Sequence, residues 1–136
     1  MSSKITVQAL VSASRQKAWE TYTEPDHIVN WNFASDDWHC PSAENELKVG
    51  GVYKARMEAK DGAYGFDFEA VYRELDPGHS FTYELADGRQ ATVSFEEIGN
   101  STQVTVTFDA ETQNPLEMQR AGWQAILDNF KRYAER

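Results

Sequence analysis

Residues 114–135 read NPLEMQRAGWQAILDNFKRYAE, and this is the only long segment of the chain with a clear helical period. When the segment is wound at about 100° per residue, its polar side chains fall on one side and its apolar side chains on the other. The residue types at the start predict Asn114 as the N-cap and Pro115 as the first helical residue. They also predict that Glu117 reaches back to the cap as the partner in a capping box. We therefore expect one long helix over about 115–134, with a single face packed on the rest of the fold.

Two residues interrupt the apolar face near the start of this helix. Gln119 is polar at the centre of the apolar arc, and Gly122, one turn later, has no side chain. A glycine inside a helix costs about 1 kcal/mol relative to alanine. The pair predicts that this end of the helix lines a space. The alternatives are that Gln119 lies on the surface at a frayed helix start, and that Gly122 lets a tryptophan pack against the helix backbone.

The segment before the helix alternates between apolar and polar residues, as strands with one buried face do. Short turns such as Asp61-Gly62, Asp76-Pro77-Gly78 and Asp87-Gly88 separate the alternating runs. Five strands in an antiparallel meander are predicted here. Residues 5–11 predict another strand that joins an edge of the sheet, and two short helices follow it, over about 14–22 and 25–30. The long helix is the only predicted element large enough to cover the buried face of the sheet.

Residues 34–50 have no convincing period, and they include Trp38, His39 and Cys40. A long irregular segment in a small domain is often a lid or a binding loop. The alternative is a surface excursion that one tryptophan anchors.

Composition restricts the class of protein. A chain of 136 residues with 40% hydrophobic residues predicts one globular domain over 1–136. The net charge of −9 argues against a nucleic-acid partner, which requires a basic face. A single cysteine excludes an internal disulfide and is typical of a reducing compartment. The first ten residues, MSSKITVQAL, lack the features of a signal peptide, and no apolar run approaches the ~20 residues of a membrane span. We expect a cytoplasmic protein without membrane insertion, either a monomer or a homodimer.

No catalytic residue can be assigned from sequence. Asp36 and Asp37 are adjacent, so they point apart in an extended loop. The spacings of His27, His39 and Cys40 match no zinc pattern, and we interpret them as loop and surface residues. Phosphate-binding, nucleophile-elbow and dinucleotide motifs are also missing from the sequence. We expect neither a metal nor a cofactor.

The direction in which two acidic side chains point depends on the register of the second strand of the meander. Asp67 and Glu69 alternate with Phe66 and Phe68. The carboxylates face solvent if the phenylalanines face inward. In the opposite register they become buried candidates for acid–base chemistry.

Four motifs, in order, carry a resemblance to a known family. They are Val-x-Ala-Ser at 11–14, Pro-x-x-Ile-x-x-Trp at 25–31, Gly-Gly-Val-Tyr at 50–53 and Gly-Trp-x-x-x-Leu-x-Asn-Phe-x-x-Tyr at 122–133. Together they resemble the AHSA-type branch of the SRPBCC (START-like) superfamily, similar to the C-terminal domain of the activator of the heat-shock protein 90 ATPase. The resemblance implies an α+β helix-grip fold, with a curved antiparallel sheet of about six strands around the C-terminal helix. The N-terminal domain of the eukaryotic co-chaperone has no counterpart here, which makes chaperone stimulation a weaker expectation.

Proteins of this superfamily enclose a cavity, so the resemblance implies binding of an apolar small molecule, lipid-like or aromatic, between sheet and helix. An alternative is an enzyme of the cyclase or hydrolase type in the same cavity, and another is a stress-related, co-chaperone-like interaction module. For each aromatic candidate the simpler interpretation is a core-filling side chain. The candidate ligand-binding residues are Trp31, Phe33, Tyr53, Met57, Phe66, Phe68, Tyr83, Met118, Gln119, Gly122 and Trp123.

Overall fold

Alternating side chains build a seven-stranded antiparallel sheet in the computed structural model, which describes residues 3–136. Met1 and Ser2, the start of the segment considered above for targeting, lie outside the described residues. The strand order is β1-β7-β6-β5-β4-β3-β2, so the first two strands of the chain form opposite edges of the sheet. The strands are β1 (Lys4–Val11), β2 (Trp38–Asn45), β3 (Val52–Ala59), β4 (Gly65–Asp76), β5 (Ser80–Leu85), β6 (Gln90–Ile98) and β7 (Ser101–Asp109).

The alternation fixes which side of the sheet is buried. In β1 every second residue is buried, and β7 shows the same pattern with Val7 opposite Val106. A shift of one residue would move these side chains to the solvent face, so the buried face sets the register. The predicted turns are also present. Gly78 and Gly88 have φ angles of 83° and 92°, which residues with a side chain rarely adopt.

Three helices cover the concave face of the sheet: α1 (Arg15–Thr23), α2 (Pro25–Ile28) and α3 (Leu116–Ala134). The hydroxyl of Ser14 caps α1 by accepting a hydrogen bond from the backbone N–H of Lys17 at 3.1 Å. Trp19 of α1 packs edge-on against Phe81 and Phe95 of the sheet. The architecture is the predicted α+β helix-grip fold. Among residues 3–136, no helix is long and apolar enough to cross a membrane.

The long helix begins one residue later than predicted. Its N-cap is Pro115, which has an extended ψ of 146° and makes no capping hydrogen bond with its side chain. Asn114 lies in the preceding loop, where its backbone N–H donates to the carboxylate of Glu111 at 2.7 Å. The prediction of an Asn114 cap with a Glu117 capping box was therefore wrong, because Glu111 holds Asn114 outside the helix.

The largest difference from the sequence prediction lies in residues 34–50. Residues 38–45 form β2, which pairs with β3 from Trp38 opposite Ala59 to Asn45 opposite Tyr53. The register shifts between His39 and Ser42, and Pro41 lies inside that irregularity. A proline has no N–H to donate, so it is tolerated at an edge strand or a bulge. The bulge interrupts the period of two, and the irregular-loop prediction was therefore wrong.

Polar side chains of α3 satisfy backbone groups of the edge strand β1. The guanidinium of Arg120 donates to the carbonyl of Thr6 at 3.0 Å, and the amide of Gln124 donates to that of Gln8 at 3.1 Å. Beyond the end of β1, the carboxylate of Glu135 accepts from the backbone N–H of Ser12 at 2.9 Å. Since unpaired strand edges invite association, these contacts protect this edge while they fix the helix across the sheet.

Candidate ligand cavity

A cavity of about 180 Å³ lies between the middle of α3 and the concave face of the sheet. Phe66 at its border is 49% exposed, so the cavity opens toward solvent on the β4 side. The lining is aromatic and aliphatic, with one amide. It consists of Tyr22, Trp31, Asn32, Tyr53, Met57, Phe66, Phe68, Tyr83, Val106, Trp123, Ile126 and Leu127.

Aromatic packing holds the cavity walls in place. Trp123 stacks on Phe108 of β7, with ring centroids 4.1 Å apart, and meets the edge of Phe68 at 6.4 Å. On the sheet side, Tyr53 and Tyr83 pack against each other with ring centroids 5.6 Å apart. Such contacts contribute specific geometry beyond the burial of apolar area. The walls are therefore built from mutually packed rings on several different elements.

Trp31 lines the cavity and is buried. Its indole N–H donates to the carbonyl of Thr21 at 3.0 Å, and its ring lies 5.1 Å from that of Phe130. Because the N–H is already bonded, Trp31 presents only an apolar ring surface to the cavity.

The cavity contains polar groups but no charged ones. No Lys, Arg, His, Asp or Glu lies among its lining residues. The amide of Asn32 donates to the hydroxyl of Tyr53 at 3.1 Å. Burial raises the pKa of the Tyr53 and Tyr83 phenols well above its usual range, and neighbouring tyrosines raise it further. These phenols are therefore protonated, and their O–H groups are available to donate hydrogen bonds to a ligand.

The structure brings together seven of the candidate ligand-binding residues at this cavity: Trp31, Tyr53, Met57, Phe66, Phe68, Tyr83 and Trp123. Four others lie elsewhere. Phe33 is half-buried and packs against the core outside the lining, and Met118 is 61% exposed. A Cβ atom placed on Gly122 would meet no atom within 4 Å. The glycine thus contacts neither a tryptophan nor this cavity.

Gln119 is buried as the helical period predicts, but its amide is occupied by the loop before α3. The side-chain oxygen accepts from the backbone N–H of Glu111 at 2.9 Å. The side-chain nitrogen donates to the carbonyls of Glu111 at 3.1 Å and Asn114 at 2.8 Å. Gln119 therefore ties the loop to the helix. It borders a wider depression of about 450 Å³, which adjoins the cavity and shares Phe66, Phe68 and Trp123 with it.

Five of the lining residues are not among the candidates predicted from the sequence. Ile126 and Leu127 belong to the apolar arc of α3, and Tyr22 belongs to the inner side of α1, so periodicity could have indicated them. Val106 is one of the alternating residues of β7. Asn32 carried no signal, because a single amide between two aromatic residues is unremarkable until the fold places it against Tyr53.

The acidic candidates face away from the cavity. Asp67 lies 3.6 Å from the guanidinium of Arg56, and Glu69 lies 3.7 Å from the ammonium of Lys54. All four side chains are substantially exposed. The register is thus the one that directs the carboxylates to solvent.

The histidine and cysteine candidates are dispersed. His27 contacts the Tyr133 hydroxyl at 2.8 Å, and His39 lies 3.6 Å from Glu58. Cys40 was interpreted as a loop or surface residue, but it is buried on β2 because the bulge turns it inward. Burial raises the pKa of its thiol to about 11, so the thiol is protonated near neutral pH. Within residues 3–136, no group of three or more His, Cys, Asp or Glu side chains is placed to hold a metal.

Comparisons with known proteins agree with the fold. The family model described as "Activator of Hsp90 ATPase homolog 1-like protein" matches residues 12–135. The AHSA1-like protein from Aeromonas hydrophila is 41% identical, with a TM-score of 0.92 over 98% of this chain and 92% of that one. A protein from Cytophaga hutchinsonii is 44% identical, with a TM-score of 0.84 over 97% and 92% of the two chains.

A more distant protein, from Chromobacterium violaceum, shares the fold at 20% identity, with a TM-score of 0.86 over 98% of this chain and 97% of that one. No curated protein matches the chain.

Proposed function

The chain belongs to the Activator of Hsp90 ATPase homolog 1-like (AHSA1-like) family of the SRPBCC superfamily, and on this basis we propose that it binds a small apolar molecule between α3 and the sheet. The observation that carries the proposal is the cavity of about 180 Å³, whose walls are aromatic and uncharged. Ligand sites are typically concave and apolar, with a few polar groups that orient the ligand.

The size of the cavity restricts the ligand. An apolar protein cavity of about 150 Å³ accepts benzene. A cavity of about 180 Å³ therefore suits one aromatic ring with a small substituent. Long lipid chains exceed this volume, so between the two ligand types predicted from the sequence we favour the aromatic one. Phe66, half-exposed at the border, lies where such a ligand would enter.

Catalysis in the same cavity has less support. The lining residues include no carboxylate, imidazole or thiol that could remove a proton. The protonated tyrosines can donate hydrogen bonds to a ligand, which is sufficient for binding and orientation.

The test is a titration with toluene, followed by the amide chemical shifts of the protein. We expect saturable shifts concentrated at the cavity-lining residues, with a rise in melting temperature as toluene stabilises the folded state. The variant Ile126→Phe should fill part of the cavity and weaken toluene binding at least fivefold. Ile98→Phe is the matched control, because Ile98 is exposed and lies outside the lining.

Two results would refute the proposal. One is an absence of saturable shifts up to the solubility limit of toluene. The other is equal toluene affinity in the wild type and in a folded Ile126→Phe variant, since the ligand would then lie elsewhere.

A further inference from the structure

Three buried tyrosines, Tyr22, Tyr53 and Tyr83, line the cavity, and a fourth, Tyr72, packs behind them; their hydroxyl groups differ in one respect. The hydroxyl of Tyr72 donates to the side-chain oxygen of Asn45 at 2.8 Å, and that of Tyr53 accepts from the Asn32 amide at 3.1 Å. Within residues 3–136, the hydroxyls of Tyr22 and Tyr83 have no hydrogen-bond partner, although both residues are almost completely buried, at 7% and 4% exposed. In the described part of the chain, these two hydroxyls thus neither donate nor accept, whereas that of Tyr53 accepts one hydrogen bond.

The hydrogen bonding of the other buried polar side-chain atoms indicates where these two hydroxyls lie. In the described part of the chain, every side-chain nitrogen or oxygen that is sealed from solvent has a hydrogen-bond partner. The hydroxyls of Tyr22 and Tyr83 must therefore border open space. Both residues line the same cavity, and the cavity is the open space that their buried positions adjoin. The two donors consequently face the position that a ligand would occupy.

Given the proposed ligand-binding function, on which this inference rests, we propose that the ligand is a neutral aryl ketone or aldehyde whose carbonyl oxygen accepts hydrogen bonds from Tyr22 and Tyr83. A single-ring aryl carbonyl suits the cavity volume. Its ring would lie among Trp123, Phe68 and Ile126, and its oxygen would satisfy donors that a hydrocarbon leaves unpaired.

The charge of the ligand follows from the lining. A carboxylate in this cavity would lose its hydration without gaining a cation, because no Lys, Arg or His lines the cavity. A phenolate has the same difficulty, and an ammonium group would find no carboxylate among the lining residues. Burial also raises the pKa of the Tyr22 and Tyr83 phenols, so both keep the proton that a carbonyl oxygen accepts.

The test compares three ligands of one size by isothermal titration: acetophenone, α-methylstyrene, which has a CH₂ group in place of the carbonyl oxygen, and benzoate, which is an anion. We expect acetophenone to bind at least tenfold more tightly than α-methylstyrene, and benzoate to bind more weakly than either. Tyr22→Phe and Tyr83→Phe should each lower acetophenone affinity roughly two- to tenfold, the usual value of one hydrogen bond. Neither substitution should weaken α-methylstyrene binding, because each removes a donor that this ligand leaves unpaired.

Two control variants separate this effect from a general one. Tyr64→Phe makes the same change at a residue that is 74% exposed. Tyr72→Phe removes a hydroxyl of the same tyrosine cluster, but this hydroxyl already donates its hydrogen bond to Asn45. Both should leave the preference for acetophenone over α-methylstyrene unchanged.

The inference is overturned if the two neutral ligands bind equally well, if benzoate binds most tightly, or if Tyr22→Phe and Tyr83→Phe leave the preference intact. In these cases a cavity-dependent binding of the neutral ligands would still support the proposed function. If no ligand binds, or if binding is insensitive to Ile126→Phe, the proposed function fails and this inference fails with it.

Discussion

The indole of Trp123 lies nearly parallel to the ring of Phe108, with the ring centroids 4.1 Å apart and the planes inclined by 12°. This contact joins the middle of α3 to β7. Trp123 also lines both the cavity and the adjoining surface depression. One side chain therefore contributes both to the attachment of the helix and to the wall of the candidate site.

Trp123→Ala should lower the free energy of unfolding by about 2–4 kcal/mol, somewhat less than for a fully buried tryptophan, because Trp123 is only partly buried. Urea denaturation followed by circular dichroism measures this change. Trp123→Phe retains a ring that can stack on Phe108, so its cost should be smaller. A change within about 0.5 kcal/mol for the alanine variant would contradict the role of this contact.

Gly122→Ala should raise the free energy of unfolding by about 0.5–1 kcal/mol. The added methyl group meets no atom within 4 Å, and alanine has the higher helix propensity. Toluene affinity should not change, since Gly122 lies outside the cavity lining. The control is Gly51→Ala, whose methyl group would collide with the carbonyl of Glu46, and it should destabilise the protein. A destabilised Gly122→Ala variant would show that the helix packs more tightly there than the structure indicates.

Gln119→Leu should destabilise the protein by about 1–3 kcal/mol despite adding an apolar side chain to a buried position. The substitution removes the acceptor for the Glu111 N–H and the donor for two carbonyl groups of the loop. Gln113→Leu in the exposed part of the same loop serves as the matched control, and its effect should stay within about 0.5 kcal/mol. Equal stability of the two variants, measured by thermal and urea unfolding, would argue against a structural role for Gln119.

Stability should fall as the pH rises above about 9. The folded state holds the pKa of the Cys40 thiol at about 11 and those of Tyr22, Tyr53, Tyr72 and Tyr83 above their usual range, mainly through burial. The unfolded chain releases these protons at lower pH than the folded chain does. The stabilisation is therefore complete at a pH below the pKa values that these groups have in the unfolded chain. It is lost as the pH rises toward the pKa values that they have in the folded chain.

Urea unfolding across an alkaline pH series measures this loss. Cys40→Ala should remove the part of the loss in unfolding free energy that begins at the lowest pH. Tyr22→Phe should make the decrease in unfolding free energy with pH less steep at higher pH. A free energy of unfolding that stays constant up to about pH 11 would contradict the buried state of these groups.

Much of the fold could be predicted from sequence because it follows from two repeating patterns of apolar residues, one along the strands and one along the long helix. The alternation in β1 and β3–β7 and the apolar arc of α3 are local properties, and the structure confirms them. β2 could not be predicted, since Pro41 and the register shift interrupt its alternation. The start of α3 was displaced by one residue because Glu111 competes for Asn114, and a helix-cap pattern does not take account of that competitor.

The candidate site was less predictable, because its members come from distant segments. Trp123 and Tyr83 could be selected as apolar residues on inward faces. Gln119 was interpreted as lining a space, yet its partners lie in the loop before the helix, and no periodicity identifies them. Asn32 reaches the cavity only through the path of the chain after α2. Its contribution depends on tertiary structure rather than on local pattern.

The pairing of β1 with β7 determines when a newly synthesised chain can acquire its structure. Lys4 and Asp109 are neighbours in the sheet, yet they are 105 positions apart along the chain. The first strand therefore leaves the ribosome without its partner, and α3, which covers the concave face, is made after every strand of the sheet. Closing so long a loop makes folding slow, and an unpaired apolar strand is prone to association in the meantime. A ribosome that stalls before β7 leaves β1 without its native partner, so the domain becomes stable only after β7 and α3 have been made.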